Sequence, residues 1–250
     1  SSINMVASGN AQFGLAHADQ IVMARNEGIE LVAVATAMQG SPQAFMFHDG
    51  HGITDFEELN GREVFIQPGI IYWEYLKSQY DLSNVVELAY TGQHVNFIPK
   101  VESVTQAFLT SEPYFMELEN VPVESKLISD AGYDPYNVVL YVTKDYLAEN
   151  EATVKAFTTA FIEGWNLYKD SYEEINKLVQ KDNPDIELAS LKFEAEAQEQ
   201  FVYGMDAAEN GVGFMTEQRW ATLIEQLHDL ELLDEVFDAK EIFTTDYLVQ

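Results

Sequence analysis

Two hundred and fifty residues set one large domain or two small ones, and 47% apolar against 22% charged residues exclude a disordered chain. Lys and Arg number 13 against 42 Asp and Glu, a net charge of −29 that repels nucleic-acid phosphates and anionic lipid headgroups. With no cysteine, disulfides, thiolate nucleophiles and cysteine-ligated zinc or iron–sulfur sites are excluded.

In chain order, residues 12–16 read as a short buried strand, followed by a helix over 19–26 that Gly28 stops. Residues 31–38 (LVAVATAM) are a continuous apolar, β-branched run, the pattern of a strand covered on both faces. Gln39-Gly40-Ser41-Pro42 breaks it, a strand resumes over 44–47, and His48-Asp49-Gly50-His51-Gly52 is a loop. Asp55 with Glu58 and the closing Gly61 predict a single capped helical turn. Strands follow at 64–67 and 85–90, on either side of a Pro68-Gly69 turn and a helix over 70–79, with a short strand at 107–109. After turn residues at 131–135 comes a β-branched strand, 137–143 (NVVLYVT), and everything beyond it reads as helix. These helices span 147–168, a segment opened by a Ser171/Glu174 capping box, 186–205, and 216–233 from Thr216. Strand–helix–strand order predicts an α/β fold with parallel-rich sheets and a helical C-terminal part.

Residues 181–250 carry 4 Lys and Arg against 17 Asp and Glu, read as solvated helix faces. The acidic excess also suits a salty habitat, where a charged surface stays soluble. No apolar stretch approaches 18 residues, so no membrane span is expected. No signal peptide precedes Ser1, which fits a cytosolic chain or a mature, trimmed exported one, and the lack of cysteine suits export.

Three loops follow strands, where open α/β sheets place their ligands. In Gln39-Gly40-Ser41-Pro42 the glycine permits close approach and Ser41 adds a hydroxyl, unless the segment is an ordinary turn. Gln67-Pro68-Gly69 opens a helix with Tyr72 and Trp73 in its first turn, so a flat ligand can stack on one ring while the other packs inside. Thr110-Ser111-Glu112-Pro113-Tyr114-Phe115 sets a carboxylate beside two aromatics. Glu112 there can accept from an exocyclic amine over Tyr114 or Phe115, or the segment is a surface turn. His48 and His51 share a loop without a third metal ligand at a telling spacing, so no metal site is predicted. His17, at the end of a buried strand, either donates to a ligand oxygen or is a satisfied core histidine. The nucleophile elbow, phosphate loop, dinucleotide fingerprint and His-Glu-x-x-His motif are all absent.

The order of motifs resembles periplasmic solute-binding proteins of ABC importers, in the branch that carries thiamine pyrimidine precursors, riboflavin and aliphatic sulfonates. Met5-Val6-Ala7-Ser8-Gly9-Asn10-Ala11-Gln12-Phe13-Gly14 is similar to that family's "aL-x-sGqaDfG" segment, although Asn10-Ala11-Gln12 lacks its usual acid. Gly40 to Ala44, the "dLkGKkV"-like run from Asp55 to Val64, Gln67-Pro68-Gly69, the stretch from Thr105 to Pro113, the helix from Leu147 to Phe157 and Gly164-Trp165 follow in family order. The resemblance implies two α/β lobes that close on a ligand like a hinge. Lobe one is expected at 1–52 and 136–250 and lobe two at 53–135, with a further strand–helix–strand unit belonging ahead of Ser1. It also implies a ligand site with His17, Ser41 and Tyr136 from one lobe and Gln67, Gly69, Trp73, Glu112 and Tyr114 from the other.

The function expected is capture of a small flat heterocycle outside the cytoplasm and delivery to a permease. A monomer is expected, free or lipid-anchored, with no cofactor and no catalysis. A sulfonate, taurine or nitrate carrier of the same fold is the rival, disfavoured by having only Arg25, Arg62 and Arg219. The eukaryotic branch that builds the thiamine pyrimidine resembles this fold too, but its cysteine-rich iron site has no counterpart here. A ligand-sensing domain of a receptor is a further alternative.

Overall fold

The computed structural model describes residues 1–248. In chain order the elements are α1 (Ser2–Ala7), β1 (Gly14–Ala16), α2 (Ala18–Asn26), β2 (Leu31–Met38), β3 (Gln43–His48), β4 (Glu63–Ile66), α3 (Ile71–Gln79), β5 (Val86–Ala89) and β6 (Val104–Phe108). There follow α4 (Glu112–Leu118), β7 (Val123–Leu127), β8 (Asn137–Thr143), α5 (Lys144–Glu149), α6 (Glu151–Asp182), α7 (Leu188–Val202), α8 (Ala207–Asn210) and α9 (Glu217–Asp229). They form two compact units. Unit 1 takes Ser1–Ser41, Pro135–Pro184 and the chain from Gln198 on; unit 2 takes Pro42–Asp134 and Asp185–Ala197.

Unit 1 is built on a three-stranded sheet, β1-β8-β2. All eight residues of β2 are buried, as the unbroken apolar run predicts, and each fully buried Val or Leu adds roughly 1.5–3 kcal/mol. Val34, Ala35, Leu140, Val142 and Val154 form a core against which Phe13 and Phe161 pack. Phe13 stacks on Phe157 with centroids 3.9 Å apart. Ser171, read as a helix start, is the one residue of α6 with non-helical backbone angles (φ −136°), and two helical segments meet there across a kink, as the sequence places a helix start. Thr216 caps α9 by accepting from the Arg219 amide, as its place in the sequence predicts.

Unit 2 holds a five-stranded sheet, β5-β4-β6-β3-β7. Its core gathers Met46, Phe65, Phe97, Ala107 and Met116. The single helical turn at Phe56–Leu59 carries the predicted box, with Asp55 accepting from the Glu57 amide and Glu58 from the Asp55 amide.

The α/β class holds, but the parallel character expected of both sheets is confined to β4, which pairs parallel with β5 and β6. The pairs β1–β8, β2–β8, β3–β6 and β3–β7 are antiparallel. A buried strand shows the same apolar run whichever way its neighbour points, so direction is invisible in the pattern.

Candidate ligand-binding site

In unit 2 the parallel strands β5, β4 and β6 bring three carboxyl ends to one edge of the sheet, where ligands of open α/β sheets settle. The Gln67 amide donates to Gln106 Oε1 at 2.5 Å, which ties the loop after β4 to β6. Gly69, at φ +78°, lets that loop turn into α3. Tyr72 and Trp73 both turn inward, at 1% and 2% exposure, and each meets the Phe45 ring edge-on. Neither ring therefore lies open for stacking, and the Trp73 Nε1–H is buried without a hydrogen-bond partner.

Glu112 opens α4 and locks the loop after β6. Its Oε2 accepts from the Phe108 amide at 2.8 Å and from the Ser111 hydroxyl, and its Oε1 accepts from the Tyr90 hydroxyl at 3.4 Å. A carboxylate has about four acceptor positions, so capacity remains for another donor. Beyond Tyr90 lies His94, whose ring centroid is 5.6 Å from the tyrosine's and whose Nε2 is buried without a partner. Burial holds His94 below the ordinary imidazole pKa, while the Glu112 charge pulls it the other way. Burial and then Glu112 push Tyr90 up to about 12, and burial, Tyr90 and Glu112 together push Tyr72 up. This edge thus sets the Glu112 carboxylate beside the neutral His94 imidazole and the protonated Tyr90 phenol, whose hydroxyl donates to it.

Tyr114, on α4, packs its ring against Phe193 with centroids 5.5 Å apart and meets Phe115 edge-on.

In unit 1 the polar residues gather where β2 ends and β8 begins. The Gln39 amide donates to the Phe201 carbonyl at 2.7 Å, its Nε2 donates to the Phe214 carbonyl at 2.7 Å, and its own carbonyl accepts from Arg219. The Arg219 guanidinium lies 4.1 Å from the centroid of the Tyr136 ring, a cation–π contact. The Tyr136 hydroxyl accepts from the Thr216 amide at 2.9 Å, and its carbonyl accepts from the Ala18 amide at 2.9 Å. Tyr136, 2% exposed, therefore braces the starts of α9 and α2, and one ring face is taken by Arg219. His17, half-buried at the N-terminus of α2, is held below the usual imidazole pKa by burial, with Asp19 opposing. Ser41 is buried, two residues beyond Gln39.

Of the residues singled out in the sequence, Gln67, Gly69 and Glu112 come to one edge of unit 2, Trp73 is buried against Phe45, and Tyr114 is half-exposed beside Phe193. His17 and Tyr136 are neighbours in unit 1. Sequence reasoning missed Tyr90 and His94, which no motif marks, and Arg219, which only the fold sets beside Tyr136; Gln106 and Gln39 lie in stretches the sequence singled out, but neither was read as a functional residue. His48 stacks on Phe97 and His51 pairs with Glu102 at 2.9 Å. Among the described residues no group of three or more His, Asp or Glu could hold a metal ion.

With its three-stranded antiparallel sheet and mixed five-stranded sheet, the chain shares the fold of solved periplasmic binding proteins. The periplasmic aliphatic sulphonate-binding protein SsuA from Escherichia coli is similar over 99% of this chain and 80% of its own, at a TM-score of 0.75 and 13% identity. A family model described as NMT1/THI5 like matches residues 1–175, and the chain belongs to that family. The riboflavin-binding protein RibY of Chloroflexus aurantiacus is 22% identical over 247 residues, 94% of this chain and 70% of RibY. The desulfurization enzyme DszB is similar in structure as well, at a TM-score of 0.57 and 13% identity over 94% of this chain and 83% of its own. The fold alone therefore does not separate binding from catalysis.

Proposed function

We propose that the chain is the solute-binding component of an ABC importer, working outside the cytoplasm and handing a flat, amine-bearing heterocycle to a membrane permease. The solute is of the thiamine-pyrimidine-precursor or riboflavin type. The observation that carries this reading is the edge of unit 2 where Glu112 keeps capacity for a donor beside neutral His94. Family membership and the RibY match favour it. We take the two units as the two lobes. His17, Ser41 and Tyr136 are the contacts proposed in unit 1, and Gln67, Gly69 and Glu112 those in unit 2, with Trp73 and Tyr114 holding the loops. The role is binding without chemistry. No helix among the described residues is long and apolar enough to cross a membrane.

A sulfonate carrier is the second reading, favoured by Arg219 at the start of α9 and by the name of the SsuA neighbour. A thermal-shift screen with 4-amino-5-hydroxymethyl-2-methylpyrimidine, thiamine, riboflavin, taurine and hexanesulfonate separates the two. A solute at a hundred times its Kd adds about 2.7 kcal/mol of stability. Stabilisation by a heterocycle supports the first reading, and stabilisation by sulfonates alone replaces it with the second.

A further inference from the structure

We propose that unit 2 carries a second small-molecule site, away from the edge where β4, β5 and β6 end, and that it takes a zwitterionic, apolar α-amino acid. Glu124 binds the ammonium, and Lys126 with the Ser125 amide binds the carboxylate. The site goes beyond the solute-binding reading and does not depend on it. Glu124 pairs with Phe47, which pairs on its other side with Val104 at the start of β6, whereas Gln67 and Glu112 lie past the ends of β4 and β6.

A cavity of about 490 Å³, open to solvent, is lined by β7 and by the loop that follows β3. Small-molecule sites run from about 300 to 1,000 Å³. Buried Phe47 and Ile53 supply its apolar lining. The loop wall is clamped, since Arg62 donates to the His51 carbonyl at 2.6 Å and to the Gly52 carbonyl at 3.4 Å. Close packing also requires the glycine, because a β-carbon at position 52 would come within 2.7 Å of the Phe47 ring and 3.1 Å of Glu124 Oε2.

Glu124 and Lys126 stand two residues apart on β7, so both side chains leave one face, with Cα atoms about 6.6 Å apart. An α-amino acid, positive at one end and negative at the other, spans such a pair with its charges reversed. Glu124 is exposed and enters no ion pair among the described residues. Lys126 lies over the Phe56 ring, its Nζ 5.1 Å from the centroid, which holds the ammonium in place. It already meets one carboxylate, Asp130 Oδ2 at 3.4 Å, and so exposed a pair yields to a solute carboxylate at little cost. Ser125 adds a donor. β7 ends its sheet, and the Asp49 amide bonds the Pro122 carbonyl at 3.0 Å. The antiparallel alternation from that pair turns Glu124 and Lys126 to β3 and the Ser125 N–H to the open edge. Charges on an edge strand also deter pairing with other chains, but that role needs neither a cavity nor a clamped loop beside it. A plain amine leaves Lys126 unmatched and a plain acid meets Glu124, so the pair selects the zwitterion as a difference between affinities.

The test uses the full chain labelled with 15N and three probes: L-leucine, 3-methylbutylamine, which lacks its carboxylate, and 4-methylpentanoate, which lacks its ammonium. The Gly52 and Ser125 amide signals are followed as each probe is added to the wild type, Glu124→Gln and Lys126→Gln, and the spectrum of each variant reports its fold. Expected is a saturable shift of both signals with leucine, about tenfold weaker binding in either variant, and binding of either single-charge probe weaker by about tenfold or more. Signals that stay still, shifts at Gly69 and Glu112 in their place, or full affinity in both folded variants overturn the site. An amine or acid that binds as tightly as leucine overturns the zwitterion. Titration of the same three proteins with 4-amino-5-hydroxymethyl-2-methylpyrimidine is expected to give one affinity throughout, which separates failure of this site from failure of the solute-binding reading.

Discussion

Gly14 and Tyr141 face each other as register partners in β1 and β8, and the tyrosine ring occupies the space where a side chain at position 14 would begin. A β-carbon built on Gly14 would overlap Tyr141 Cζ and Oη and come within 2.9 Å of Cε1. The ring has nowhere to retreat, being fully buried with its hydroxyl donating to Ser2 Oγ at 3.2 Å. Ser2 in turn donates to the Leu15 carbonyl at 3.0 Å, so α1, β1 and β8 meet through this contact. Gly14→Ala is expected to destabilise the protein by about 1–3 kcal/mol, as overpacked cores do, read from the urea midpoint at constant m. An unchanged midpoint would mean that α1 yields without cost.

Glu112 is expected to act on Tyr90 as well as on the loop. Its charge is the second cause, after burial, that raises the Tyr90 pKa to about 12. Glu112→Gln should therefore bring the Tyr90 phenol to ionise at lower pH, seen as an earlier phenolate rise at 295 nm. The same change weakens charge-assisted bonds from the Phe108 amide and the Ser111 hydroxyl, at a cost of about 1.5–3 kcal/mol in stability. A titration curve identical to the wild type would remove the Tyr90–Glu112 contact from the account.

His17 makes the fold sensitive to acid. Its folded pKa lies below the ordinary imidazole value of 6.5 because it is buried, so the unfolded chain binds the proton more readily. Stability from this group is therefore fully present above about pH 6.5 and declines as pH falls towards the folded pKa. His17→Asn keeps a good N-cap for α2 and removes the proton site. The variant should show a flatter stability profile between pH 7 and 5 than the wild type. An equally steep profile would place the acid sensitivity elsewhere, His94 being the next group to test.

Val138 carries backbone strain. It sits in β8 at φ +52°, a left-handed conformation that β-branched residues avoid, with its amide donating to Asn137 Oδ1 at 2.8 Å. Such strain costs about 1–3 kcal/mol, and asparagine tolerates the conformation better. Val138→Asn is expected to raise the urea midpoint by an amount equivalent to about 1 kcal/mol. A lower midpoint would show that the valine side chain contributes more than its backbone loses.

Legibility in the sequence followed the kind of force involved. The β2 run was readable because a doubly covered strand needs every residue apolar, and Thr216 because a helix start needs an acceptor for its free amides. Where the signal is weaker the reading was incomplete. β7 (VESKL) mixes charge into an edge strand and shows no apolar run. α4 begins at Glu112-Pro113, a start that reads equally well as a turn. Of the candidate site, Gln67, Gly69 and Glu112 could be found because glycine, proline and a carboxylate mark the loops after strands. Tyr90 and His94 could not, because only the parallel pairing of β4 with β5 and β6 carries them to the same edge.

The central claim, that this chain captures a donor-bearing heterocycle, is tested most directly by calorimetric titration of the wild-type protein at pH 7 with 4-amino-5-hydroxymethyl-2-methylpyrimidine and with riboflavin, alongside taurine. One-to-one binding of a heterocycle in the micromolar range or tighter, with taurine inert, is the predicted result. Binding of taurine with both heterocycles inert would contradict it and make the protein a sulfonate carrier.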